Sequence, residues 1–266
     1  DVVVTLSEKG YIKRMLRTSY TVQNRGGKGK LGMEVREDDI ISNVISCSTH
    51  DKILFFSNKG RVFETKVYEI PEFGRTAKGQ ALVNIINLDA GEKITSVLTH
   101  TEGKFVDLDI EEENENSSVA KDFKYFFMAT KNGIVKKTLI SEYANIRQNG
   151  LIAINLEKND ELVWVKPTTG KDTVLLVTNK AKSIHFNEKD VRETGRATMG
   201  VIGIKFAYAD DFVIAMDVVR KTENVLFTIT EKGFGKVTKL NEFTLQGRGG
   251  SGVFAHNIST KTGKVI

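Results

Sequence analysis

The sequence holds one cysteine, Cys47, in 266 residues. That excludes an intramolecular disulfide and leaves no basis for a cysteine-built metal site. It fits a reducing compartment, and a cytoplasmic location is the expectation. No run of about 18 apolar residues occurs, so neither a membrane-spanning helix nor a membrane partner is expected. No basic-then-apolar leader opens the chain. It begins at Asp1 without a methionine and stops at Val265-Ile266, in what reads as the start of a strand, so a piece of a longer protein is expected. The four histidines, His50, His100, His185 and His256, are scattered, and a metal site needs convergent ligands. No Ser–His–Asp or Cys–His set can be assembled. The pairs Asp38-Asp39 and Asp210-Asp211 stand before strand-like runs and read as turn caps, not as acid–base pairs. Residues 26–30 lack the residue order of a phosphate-binding P-loop. A catalytic role for the chain itself, a cofactor and a metal are therefore not expected.

What is present is apolar content and uneven charge. About 40% of the residues are hydrophobic, enough for a sizeable core. The net charge is +5, yet residues 107–115 carry six carboxylates and no Lys or Arg, so the rest of the chain carries +11. A basic body with one acidic insert suits a polyanionic partner, although charge alone leaves open a solvated basic surface. Residues 111–118 read as a flexible surface loop whose role is solvation or competition with a polyanion.

The chain is a repeat. Hairpin positions recur at Gly10, Gly60, Gly133, Ala181 and Gly233, each between two β-prone runs. Glycine at such a turn supplies φ > 0, so Ala181 fits less well. A second glycine follows at Gly29, Gly79, Gly150, Gly200 and Gly252, at distances of 19, 19, 17, 19 and 19 residues. A third apolar run follows each marker glycine, and a fourth run follows in the first four units. The unit is thus about four short strands in 48–52 residues, with one step lengthened to 73 by the insert. The expected repeats are 2–50, 51–100, 124–170, 171–220 and 223–266 of a single domain, 1–266, with an acidic insert at 101–123. The expected fold is all-β and propeller-like, built from repeated four-stranded blades. Two stacked sandwiches are the rival all-β arrangement.

Between the second and third runs each unit carries a polar loop. In the first it reads Gln23-Asn24-Arg25-Gly26-Gly27-Lys28-Gly29, followed by Lys30, and in the fifth Gln246-Gly247-Arg248-Gly249-Gly250-Ser251-Gly252. An arginine stands four residues before the marker glycine in four units (Arg25, Arg75, Arg196, Arg248) and three before it in the third (Arg147). A repeated arginine at one structural position predicts a row of guanidinium groups along one rim. Each is permanently charged and forks onto phosphate oxygens. Neighbouring glycines would let backbone N–H groups approach a phosphate. Lys78 and Arg192, in the same loops, join the candidate set. Phosphate contacts position a duplex without reading it, so the expected partner is double-stranded DNA, largely independent of sequence.

The Gln-x-Arg-Gly-Gly-Lys-Gly run of the first repeat resembles the box that marks the C-terminal domain of bacterial gyrase A, from the type IIA topoisomerase DNA gyrase. The resemblance covers the chain from Val2 to its end. It implies a six-bladed β-pinwheel, a propeller relative with altered strand order, about five blades of which are visible here. It also implies a basic perimeter that wraps DNA so that the parent enzyme, with the rest of gyrase A and gyrase B, performs ATP-driven negative supercoiling. Gln23, Arg25, Gly26, Gly27, Lys28 and Gly29 match the box, while Asn24 stands where the family usually carries a basic residue. The related topoisomerase IV domain has similar blades with a degraded or missing box. A propeller-like protein-interaction scaffold is the alternative from another class.

Overall fold

The computed structural model describes residues 1–19, 39–101, 104–106, 122–147, 149–220 and 225–266. The box residues Gln23, Arg25, Gly26, Gly27, Lys28, Gly29 and Lys30 lie outside the described residues, as do the six carboxylates of 107–115. The chain forms two compact units, 1–120 with 146–151, and 121–145 with 152–266. Among the described residues every regular element is a strand or a short 3₁₀ turn.

The strands are, in order, β1 (Val2–Ser7), β2 (Tyr11–Leu16), β3 (Ile41–Cys47), β4 (Lys52–Ser57), β5 (Arg61–Lys66), β6 (Gln80–Ala81), β7 (Ile94–Thr101), β8 (Lys104–Val106), β9 (Tyr125–Thr130), β10 (Ile134–Leu139), β11 (Leu151–Ile152), β12 (Leu162–Thr168), β13 (Thr173–Thr178), β14 (Lys182–Asn187), β15 (Val201–Ile202), β16 (Val213–Val219), β17 (Val225–Ile229), β18 (Gly235–Lys239) and β19 (Val253–Phe254). In the first unit the sheets run β3-β1-β2-β6 and β11-β5-β4-β7-β8. In the second they run β12-β9-β10-β15, β16-β13-β14-β19 and β17-β18. The fold is all-β and propeller-like, built from repeated four-stranded antiparallel sheets. The insert after β7 begins as a hairpin, β7–β8, that widens its sheet to five strands.

Each hairpin is built the same way. Gly10, Gly60, Gly133 and Gly233 have φ between +73° and +81°, and Ala181 adopts +61° in the same place. The turn Ala181 makes is therefore the turn the glycines make, held against the preference of an L-residue. A hydroxyl three residues before the turn accepts the N–H of the residue after it: Ser7 from Tyr11, Ser57 from Arg61, Thr130 from Ile134, Thr178 from Lys182 and Thr230 from Phe234. Carboxylates from the loop before the outer strand complete the cap, with Asp39 accepting from Lys9 N–H, Asp160 from Asn132 N–H and Asp211 from Lys180 N–H. Asp39 and Asp211 are thus turn caps, as the sequence suggested.

The central strands β1, β4, β9 and β13 are buried on both faces, which is why their sequences are continuous apolar runs without alternation. In the first unit Val2, Val4 and Leu6 pack with Phe55, Phe63 and Val97. In the second, Phe127 and Val135 pack with Leu176, Ile184 and Phe186. Each fully buried Phe contributes about 2–3 kcal/mol of transfer free energy. Trp164 packs half-buried against the second cluster. The last sheet differs, because it has only β17 and β18 plus a bridge between Thr230 and Val265. Its Val225, Phe227 and Val237 are exposed.

The expected four-stranded unit is not one sheet. In the second, fourth and fifth repeats the third strand leaves its own sheet and pairs with the second strand of the repeat before it: β6 with β2, β15 with β10, β19 with β14. The marker glycine makes that hand-over possible. A Cβ at Gly79 would lie 2.5 Å from Ile12 O, at Gly200 2.3 Å from Val135 O, and at Gly252 2.2 Å from Ser183 O. These three carbonyls stand at the same register, two residues past the hairpin. Gly200→Ala is therefore expected to cost about 1–3 kcal/mol through overpacking. Gly195→Ala, with open space around it, should stay within about 0.5 kcal/mol of the parent. Urea denaturation of the two variants checks this, and equal stability would contradict the close approach.

Candidate nucleic-acid interface

The hand-over fixes the arginine loops at both ends. At the entry, a loop N–H donates to the second strand of the preceding repeat: Phe73 N to Arg14 O (3.1 Å), Thr194 N to Lys137 O (3.0 Å) and Gln246 N to His185 O (2.7 Å). At the exit, Leu82 N donates to Gly10 O, Gly203 N to Gly133 O and Ala255 N to Ala181 O, each at 2.8 Å. The loop is therefore tied at both ends to the second strand of the preceding repeat and to the hairpin that opens it.

The side chains that brace the entry were not singled out by the sequence. They stand four residues after the hairpin position and differ chemically, yet each meets a carbonyl in, or immediately after, the next repeat's 3₁₀ turn. Arg14 Nε donates to Ile70 O (2.7 Å), Lys137 Nζ to Glu188 O (3.0 Å), and His185 Nδ1 lies 3.0 Å from Phe243 O. Burial lowers the Lys137 ammonium from its ordinary value. The signal that would have found them is their shared offset.

In the second unit Arg196 and Arg248 occupy equivalent places in successive repeats. Arg196 Nη1 donates to Ile152 O (3.1 Å), and Arg248 Nη1 donates to Ile202 O (3.2 Å), each the last residue of the preceding repeat's third strand. Arg248 adds Nε to Asp190 O (2.8 Å). Arg248 is exposed and Arg196 half-exposed. A guanidinium has five donors, and these bonds use only part of that set; the Arg196 Nε is buried without a hydrogen-bond partner among the described residues. Arg192 is exposed in the same unit. In the first unit Arg75 is half-buried, with a buried Nε that has no hydrogen-bond partner among the described residues, and Arg147 is exposed. Lys78 lies with its Nζ 3.5 Å from the centroid of the Tyr11 ring.

One glycine of the fifth-repeat loop does something other than expected. In the fifth repeat Gly249, with φ +76°, donates its N–H to Gly203 O (2.7 Å), and Gly250 O accepts from Lys205 N (2.9 Å). These bonds dock the loop on the preceding repeat, and the Gly249 N–H is thereby not free for a phosphate. The histidines are likewise engaged structurally, His256 at 2.9 Å from Thr228 Oγ1 and His185 at 2.8 Å from Thr173 Oγ1.

The third repeat's shorter loop is held in another way. Arg61 Nη1 donates to Asn149 O (3.3 Å), and Asn87 Nδ2 to Asn149 Oδ1 (2.7 Å). Arg61 is itself clamped by Glu92, through Nε at 2.9 Å and a second bond from Nη2, and Ser57 Oγ donates to the same carboxylate at 2.5 Å.

A family model described as "DNA gyrase C-terminal domain, beta-propeller" matches residues 1–48, 51–101, 124–169, 172–220 and 224–266. The chain belongs to this family. It is 46% identical, over its whole length, to the gyrase A protein of Clostridium acetobutylicum, of which it covers 30%. It spans about 30% of the length of the curated relatives it matches. A solved C-terminal domain of DNA topoisomerase IV matches 99% of the chain and 75% of that structure, with a TM-score of 0.76 and 27% identity. A solved DNA gyrase A C-terminal domain matches 100% of the chain and 80% of that structure, with a TM-score of 0.71 and 26% identity.

The Arg61 clamp gives this gyrase-type domain an acid-sensitive joint. Burial alone would raise the Glu92 carboxyl, but hydrogen bonds from Arg61, Ser57 and the Asp89 N–H, with the Arg61 charge, hold it below its ordinary value. A carboxyl lowered on folding contributes stability that is complete above its unfolded pKa, about 4.3, and is lost as pH falls through the folded value. Glu92→Gln should cost about 3 kcal/mol at neutral pH. It should also flatten the fall in stability below about pH 4.3. Denaturation midpoints measured across that range test both, and an unchanged acid slope would remove Glu92 from the account.

Proposed function

We propose that the chain binds double-stranded DNA, largely without regard to sequence, through its arginine loops and wraps it on a basic surface. The observation that carries this reading is a repeated guanidinium that the protein holds but only partly uses. Arg196 and Arg248 stand at one structural position, each tied to a strand carbonyl and each with donors to spare. Arg75, Lys78, Arg147 and Arg192 add positive charge in the same class of loop, and the box residues Gln23, Arg25, Gly26, Gly27, Lys28 and Gly29, with Lys30, complete the set. In the longer gyrase A protein, working with gyrase B in the bacterial cytoplasm, the domain is a non-catalytic element. It bends and wraps the duplex, and the rest of the enzyme converts that wrap into ATP-driven negative supercoiling.

Binding of this kind is steep in salt, because each neutralised phosphate adds about 0.9 to the log–log slope. Arg196→Ala with Arg248→Ala should lower that slope by about 2 and weaken all duplex sequences alike. The wrap itself is read by linking number, sealing a nicked plasmid with ligase in the presence of the domain and resolving the topoisomers. A shift that grows with protein and shrinks for the double variant is the expected result. Tight, salt-sensitive binding without a shift would assign the chain a topoisomerase IV-like role. No binding near physiological salt would replace DNA by an acidic protein.

A further inference from the structure

Three residues past the hairpin position, the second strands of the five repeats carry Lys13, Phe63, Lys136, Ile184 and Lys236. Lys13 and Lys136 are among the largest fully buried side chains of the protein. Among the described residues neither Nζ meets a carboxylate. Lys13 Nζ donates to Gly74 O (3.1 Å), Arg75 O (2.5 Å) and Ala77 O (2.8 Å). Lys136 Nζ donates to Arg196 O (2.7 Å), Ala153 O (2.8 Å) and Thr138 Oγ1 (2.7 Å). Arg75 and Arg196 are the same position of the same loop. A buried ammonium is costly unless all three of its protons are matched; for Lys13 loop carbonyls match all three, and for Lys136 the Arg196 carbonyl matches one while Ala153 O and Thr138 Oγ1 match the others. The fifth-repeat loop has Ile184 beneath it, 3.5 Å from where a Cβ on Gly250 would stand, and is held by its own glycine backbone.

We propose that Lys13 and Lys136 are positioning residues for DNA binding: buried ammonium pegs that hold main-chain carbonyls of the Arg75 and Arg196 loops and so fix the loop backbone from which each arginine springs. The inference rests on the arginine loops being the DNA-binding elements. Its structural half stands apart from DNA. The peg makes no phosphate contact of its own, so its whole effect on binding passes through the arginine whose carbonyl it holds.

The charged groups facing Lys136 are Glu142 from the 3₁₀ turn Ile140–Tyr143 and Arg196 from the loop itself. Tyr143 shares the Ala153 carbonyl through its hydroxyl, and its burial keeps the phenol neutral. Burial lowers the Lys136 ammonium to about 8, partly offset by Glu142 and reinforced by Arg196. An ammonium lowered in the folded state is lost as pH rises through the folded value.

The test has two parts. Amide hydrogen exchange, corrected for intrinsic rates, compares the 194–199 loop with the 246–251 loop from about pH 7 to about pH 9.5, a span that brackets the titration of Lys136 and stays below the ordinary lysine value. Protection of the first should fall above about pH 8 while the second keeps its own, and Lys136→Met should show the same loss already at pH 7. Equal behaviour of the two loops would overturn the peg. In the second part, duplex affinity is measured in a double-variant cycle. Lys136→Met should weaken binding roughly five- to ten-fold, as lost charge-assisted bonds imply, and less than about two-fold in an Arg196→Ala background. Additive losses would mean that Lys136 acts elsewhere. If Lys136→Met does not fold, the pH comparison on the parent protein and the Lys13→Met/Arg75→Ala cycle decide the same question. An Arg196→Ala variant that binds as the parent does would sink the DNA-binding reading while leaving the exchange result intact.

Discussion

The second strand of each repeat is an edge until the next repeat arrives. Its outward N–H and C=O groups must be paired or hydrated, and an open edge invites the wrong partner. Here β2, β10 and β14 are each closed by a two-residue strand from the following repeat, β6, β15 and β19. A bridge in parallel sense joins the other end, between Arg14 and Glu72, Lys137 and Glu193, and His185 and Leu245. Everything distinctive about the loops follows from that exchange. A segment that must touch one strand at two places, first in parallel and then in antiparallel sense, has to turn back between them, and the turn is the arginine loop. The marker glycine sits at the second touch, where the strand carbonyl leaves no room for a side chain.

Much of this was legible. The five hairpins could be read from glycine spacing, including the one at Ala181, which takes φ +61° because the surrounding cap of Thr178 and Asp211 is unchanged. The register of Arg75, Arg196 and Arg248 could be read from the marker glycines, and the apolar runs located the buried strands. The identity of the sheet that receives Gln80–Ala81 or Val201–Ile202 could not be read. A two-residue segment looks the same whichever neighbour it joins, and the partner lies outside its own repeat. Phe227 illustrates the same limit. Its run matches the others in composition, yet its sheet has two strands and leaves it exposed.

The bracing residues were hidden for a chemical reason. Arg14, Lys137 and His185 share no side-chain type, so no motif search groups them, yet all three can donate to a backbone carbonyl. The receiving group is main chain, present at every position, and the repeat therefore constrains only the ability to donate. The same tolerance explains how the third repeat holds its shortened loop with Arg61 and Asn87 from quite different places in the chain.

The arginines of the loops combine two demands that a lysine could meet only one at a time. The contact from Arg196 to Ile152 O, and from Arg248 to Ile202 O, uses one arm of a planar fork and fixes its plane. The remaining donors then have a set direction, so on the proposed DNA-binding reading less side-chain freedom would be lost when a phosphate arrives. A lysine tied to the same carbonyl would spend its charge inside the protein, as the buried Lys13 and Lys136 do. The division of labour between the two cations is thus geometric. The compact ammonium gathers carbonyls beneath the loop, and the forked guanidinium links the loop's inner edge to its outer one.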